Sequence, residues 1–272
     1  MLPFLQKRRI TSRRSEKKVR RLPDQEYRRV IDLSRKIAFE VGTPRFYCER
    51  EREVALSRKL FAAEPLVASA LRIVEDRGDC LGHGLSHVQK VAADVGALIL
   101  IEEGRPDARV RRRVLLAHLA GLLHDIRRTE KDHAERGAQE AEKILLSFPL
   151  REDERDGITG AIRNHEAFRP CRTAAGPAAQ LLSDALYDAD KFRWGPDNFT
   201  ETIWAMIIPR RMPLQTLLPR FLPGLEGIRK IRESFRTATG REYGPDFIDR
   251  GLEIGLRLHE ALIEDGLQGE KQ

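Results

Sequence analysis

Cysteine is scarce in this chain. Cys48, Cys80 and Cys171 stand far apart and form no CxxC pair, which speaks against a disulfide framework and a thiolate zinc knot and fits a reducing cytoplasm. Long apolar runs are missing as well. The stretch 95–101 is short and bounded by charge, well below the roughly 18 residues that span a bilayer. The opening MLPFLQKRRI also lacks an apolar signal core. A cytoplasmic protein with no membrane span is expected. Alternating apolar and polar strand patterns bounded by hairpin signals are equally hard to find, which argues against a β fold.

What the chain does have is enough apolar residues, 41% of 272, to bury a sizeable core. Its net charge of +7 is unevenly spread: residues 7–21 hold nine basic side chains against one acidic, and the remainder is close to neutral. Such an arm can contact a polyanion or stay solvated. Beyond Pro23, apolar residues recur at helical spacing. The pattern predicts an all-α protein with helices near 24–40, 65–77, 84–103, 107–126, 133–147, 152–164, 177–193, 197–208, 224–238 and 246–265. Prolines and aspartates mark many of the starts, and glycines at 104, 157, 195 and 240 fit the breaks. The four prolines in 208–223 predict a turn of chain over the bundle rather than one helix. The organisation expected is a basic arm (1–22), N-terminal helices packing on the core (23–79), the core (80–195) and a C-terminal helical extension of the same domain (196–272).

The chemistry-bearing residues fall in a telling order: His87, the pair His124-Asp125, then His133, His165 and Asp190. The pair ends an apolar helix, where a buried imidazole and carboxylate cost several kcal/mol unless compensated, and a cation would compensate them. The other candidates also lie on helices with apolar stripes, and facing helices that each offer one polar group can build a metal site. Imidazole and carboxylate together suit manganese, iron, nickel, cobalt or zinc rather than calcium. Asp184, Asp188 and Asp190 compete for the last position. Helical spacing puts the first two on one face and Asp190 on another, without saying which face points inward.

The segments GHGLSHVQKVA, LAGLLHDI, HAERGAQEAEKIL, IRNHE and YDADKF together resemble the HD-domain metal-dependent phosphohydrolase superfamily over about residues 80–195. The resemblance implies an HD-type helical bundle with additional N- and C-terminal helices. It also implies metal ligation by His87, His124, Asp125 and Asp190, the Ala-Asp-Lys-Phe context favouring Asp190 over Asp188. His133 and His165 hold the order of the ligands that binuclear relatives add, so one or two divalent ions are implied. His133 follows the His-Asp pair by only eight residues and lacks a following Gly-Tyr-Pro, which separates the chain from the HD-GYP cyclic-dinucleotide hydrolases.

The implied activity is hydrolysis of phosphate esters or anhydrides, with a nucleotide or a related small phosphorylated molecule as substrate. A bound divalent cation lowers the pKa of its water to about 7 and so supplies hydroxide for attack on phosphorus. Asp125 is the natural bridge between two ions. Lys90, Arg127, Arg128, Arg163, Lys191 and Arg193 stand beside ligand positions, and Lys191 and Arg128 are the favoured partners for developing negative charge. His83 is a candidate for contact with His87 or substrate, whereas His118 reads as a satisfied core histidine and His259 has no assigned chemistry. Trp194, Trp204, Phe192 and Phe199 could wall a base-stacking pocket or form core. Two other readings use the same residues: a di-iron oxygenase, and a non-catalytic, metal-stabilised signalling or nucleic-acid-binding module served by the arm.

Overall fold

The computed structural model describes residues 24–76 and 84–269. Among these it contains twelve α-helices and no strand, the all-α class that the sequence pattern predicts. In chain order they are α1 Asp24–Val41, α2 Arg45–Glu49, α3 Glu51–Ala63, α4 Pro65–Glu75, α5 Leu85–Glu103 and α6 Ala108–Leu123. They continue with α7 His133–Leu145, α8 Glu152–Arg163, α9 Pro177–Phe192, α10 Ile203–Ile207, α11 Leu214–Arg229 and α12 Ala238–Gly269. A π-helical turn, Asn198–Thr202, precedes α10, and a 3-10 turn, Lys230–Glu233, follows α11. The basic arm, Cys80 and His83 lie outside the described residues. None of the described helices is long and apolar enough to cross a membrane.

Local chemistry starts and stops these helices. Pro65 opens α4 behind Glu64, whose carboxylate accepts from the Leu66 N–H, and Asp107 opens α6 by accepting from the Val110 N–H at 2.9 Å. Both satisfy donors that a helix start leaves open. At the end of α5, Gly104 takes a φ of 78°, which a side chain would resist. The short link to α6 returns the chain against α5, and both helices are buried along most of their length.

The structure differs from the sequence pattern at four places. Residues 45–63 were not expected to be helical, yet α2 and α3 occupy them. Their sequence is rich in charge and buries few side chains, among them Phe46, Val54 and Ser57, so their apolar periodicity is faint. The segment 208–223 does not simply turn over the bundle, because α11 starts at Leu214 and runs through Pro219 and Pro223. Both prolines are exposed, and the carbonyls deprived of N–H partners therefore face water rather than core. Likewise α12 begins at Ala238 and contains both Gly240 and Pro245, and Gly157 lies inside α8. Gly240 is held by packing, since a Cβ there would come within 2.0 Å of the Asp188 carboxylate.

A close helix crossing positions the site. A Cβ on Gly121 of α6 would lie 2.4 Å from the Cα of Ala92 in α5, so only glycine permits this backbone approach. That contact carries the first turn of α5 and the last turn of α6 together, and with them His87 and His124. One apolar core, from Tyr27 in α1 to Leu262 in α12, surrounds the junction.

Candidate metal centre

All six residues singled out from the sequence as ligands converge. His87 comes from the first turn of α5, His124 and Asp125 from the end of α6, and His133 from the start of α7. His165 follows α8, and Asp190 lies on α9. Five of them are buried and His133 is nearly so. Their donor atoms form three overlapping groups able to hold an ion: His87, His124 and Asp125; His124, His165 and Asp190; and Asp125, His133 and His165.

The Asp125 carboxylate organises the cluster by dividing its oxygens. Its Oδ2 lies 3.7 Å from His87 Nε2 and 3.4 Å from His124 Nε2, while its Oδ1 lies 3.4 Å from His165 Nε2 and 3.9 Å from His133 Nε2. On the Oδ2 side, His87 Nε2 stands 3.3 Å from His124 Nε2 and 3.4 Å from Asp190 Oδ1. Ligands about 2.1 Å from a cation stand roughly 3.0–3.4 Å apart in octahedral or tetrahedral arrangements. The observed separations of 3.3–3.9 Å are somewhat wider, and the imidazole and carboxylate donors could hold a metal ion.

Backbone carbonyls fix which ring atoms face the cluster. His124 Nδ1 lies 2.8 Å from the Gly121 carbonyl and His165 Nδ1 lies 2.6 Å from that of Ile162. A carbonyl can only accept, so each Nδ1 donates and each Nε2 is turned inward. In both cases the histidine closes the end of its own helix on the carbonyl three residues earlier. The ligands are thus oriented by elements the core already holds.

The electrostatics match a cation site. Burial opposes charge on His124, but Asp125 and Asp190 outweigh it and push its pKa up to about 10; a proton there competes with a cation for the same carboxylates. Burial would raise Asp190, yet the Lys191 ammonium and the imidazoles of His124 and His87 hold it well below the usual carboxylate range. His133 is pushed down to about 4 by burial and by its His165 and Arg128 neighbours, leaving its Nε2 to accept from Arg128 at 2.7 Å.

Compared with known proteins, the chain matches no family model, no curated protein and no solved structure significantly. The chemistry therefore rests on the geometry of the chain itself.

The six nearby cations separate into two sets. Lys90 pairs with Asp197 and Glu201, Arg127 with Glu130 and Glu140, and Arg163 with Glu135. Arg193 is buried against Tyr47, Asp94 and Asp197. Lys191 and Arg128 instead adjoin the cluster, Lys191 donating to Asp190 and, at 3.0 Å, to the His165 carbonyl. Asp188, the competing aspartate, is turned away and accepts from Arg236 N, Thr237 N and Thr237 Oγ1. Asp184 accepts from Gln180. His118 lies 3.0 Å from Ser57 Oγ within the core, and His259 packs on Phe221.

The cluster forms one end of a cleft of about 510 Å³ whose far wall comes from the π-helical turn, α10 and α11. Trp194 and Phe199 line it, Phe199 being buried in the same core as Phe192 and Trp204. Phe168, Met206, Leu217 and Phe221 complete the wall and were not singled out from the sequence. The spacing of Leu214, Leu217, Phe221, Leu225 and Ile228 does carry a helical stripe, but the prolines within it mask that stripe in the sequence.

Proposed function

We propose that the chain is a metal-dependent phosphohydrolase of the HD type, acting on phosphate esters or anhydrides of small molecules. The observation that carries this reading is the Asp125 carboxylate, with one oxygen toward His87 and His124 and the other toward His133 and His165. Such a carboxylate could be shared between two divalent ions, and manganese, iron, nickel, cobalt and zinc are all compatible with the donors. When bound, such ions activate water and polarise a phosphoryl oxygen.

The chain's own residues would do the rest. His87, His124 and Asp190 would hold one ion, and His165 together with His133, once its Nε2 gives up the Arg128 hydrogen bond, would hold the other, with Asp125 common to both. Arg128, at the cleft edge beside His133 and Asp125, is placed to receive negative charge developing on the phosphoryl oxygens. Lys191 holds Asp190 in its ionised form.

A di-iron oxygenase would use the same ligands, but two cations beside the cluster suit an anionic phosphoryl group better. The test is turnover of a panel of phosphate esters and anhydrides by metal-stripped protein, reloaded with each metal in turn, with oxygen uptake followed in parallel. Metal-restored phosphate release without oxygen consumption supports the hydrolase. Oxygen-dependent turnover with iron and no phosphate release replaces it with the oxygenase. A folded, metal-loaded protein that does neither moves the reading to a binding module.

A further inference from the structure

We infer that the substrate of this site is an amphiphile, a phosphate head on a hydrocarbon body, rather than a nucleotide. The inference rests on the hydrolase reading for the head and on the cleft wall for the body. From the charged cluster outward, the cleft passes between Trp194, Phe199, Ile203, Leu217 and Phe221. Its volume of about 510 Å³ lies within the range of about 300–1,000 Å³ that encloses most of a small organic ligand.

A nucleoside needs fixed donors and acceptors for its base edge and its ribose hydroxyls, since polar groups buried without partners cost affinity. Most of the wall away from the cluster is hydrocarbon: Ala167, Phe168, Ile203, Met206, Leu217 and Leu225 are among its residues. Away from the cluster, its polar side-chain groups among the described residues are those of Glu166, Arg193, Asn198, Thr202 and Arg220, with the indole N–H of Trp194. Glu166 is paired with Arg169, and Arg193 with Asp94 and Asp197. Phe199 and Phe221 pack on each other, with ring centroids 5.9 Å apart and planes tilted by 34°, so they present hydrocarbon surface rather than a pair of parallel faces around a base.

The apolar surface continues to the mouth. Phe168 is 66% exposed and Met206 38% exposed, and both line the cleft. Phe168 also has a φ of 60°, a left-handed conformation that a bulky residue rarely adopts. An exposed aromatic ring held in a disfavoured backbone conformation beside the ligand cluster fits a residue that covers a hydrocarbon group entering there.

The experiment measures binding and turnover separately on the full-length, manganese-loaded protein. Methyl-, butyl- and octylphosphonate, which carry no hydrolysable ester, are titrated calorimetrically beside AMP, and the matching alkyl phosphates are assayed for phosphate release. Affinity is expected to rise by about fourfold per methylene until the wall is covered, with AMP no better than the methyl compound. Met206→Gln and Phe168→Ser, both at exposed positions, are expected to reduce that slope.

Equal affinity along the series, AMP tighter than octylphosphonate, or a slope unchanged by either variant overturns the amphiphile assignment and leaves the hydrolase reading standing. A chain-length slope in binding without release from any phosphate ester sinks the hydrolase reading instead, and keeps the cleft as an amphiphile site.

Discussion

Arg128 donates to His133 and lies 3.9 Å from Asp125, at the edge where a phosphoryl oxygen would meet the cluster. Arg128→Ala is expected to lower kcat by roughly 10²–10³, as loss of a preorganised charge does, while atomic absorption finds the metal content unchanged. Loss of metal together with activity would make Arg128 a support for the ligands instead. The two aspartates of the YDADKF segment should part in the same way. Asp188→Asn disturbs three hydrogen bonds to Arg236 and Thr237 and is expected to lose roughly 1–3 kcal/mol of stability with metal retained. Asp190→Asn should give a folded protein that no longer holds metal.

His118 sets a separate test in the core. Burial pushes its pKa down to about 3, against about 6.5 in an unfolded chain. Between those values the unfolded state binds a proton that the folded state refuses, so His118 costs no stability above about pH 6.5 and progressively more as pH falls toward 3. Each pH unit within that window removes up to about 1.4 kcal/mol. His118→Gln, compared with wild type in denaturant titrations at pH 7 and pH 5, is expected to show the smaller loss at pH 5. Equal losses would mean that this imidazole protonates without unfolding.

At the scale of elements, the α5–α6 crossing is the part of the fold on which the site depends most. Gly121→Ala places a methyl group 2.4 Å from the Ala92 Cα. Overpacking of this kind costs about 1–3 kcal/mol and would spread the helices that carry His87 and His124. Thermal melting and metal titration are expected to report lower stability and weaker metal binding together; unchanged metal affinity would show that the crossing does not position the ligands.

The same scale explains what the sequence could reveal. Helices α5 to α9 were legible because their apolar stripes are strong and their ligands sit at helix ends, where an imidazole next to hydrophobic residues stands out. The position of Asp190 was not settled by periodicity, since both Asp188 and Asp190 are buried and only tertiary partners distinguish them. Helices α2 and α3 leave little trace in the sequence because charge dominates them, and α11 because Pro219 and Pro223 are tolerated on its exposed face. The cleft wall was hidden for the same reason, as it is assembled from α10 and α11 only when the chain folds back over the cluster.

On the scale of the whole molecule, the helices serve one end: a core running from α1 to α12 excludes water from five buried ionisable ligands that would be costly to bury without mutual compensation. The cleft then joins that charged point to an apolar wall. The central claim is that the cluster binds metal, and quantitative metal analysis of protein purified without chelator, beside His124→Ala and Asp125→Asn, tests it most directly. The account predicts about one or two tightly held transition-metal ions per wild-type chain, lost in both variants with the fold intact. Folded wild type that remains metal-free after exposure to manganese, iron, cobalt, nickel and zinc would contradict it.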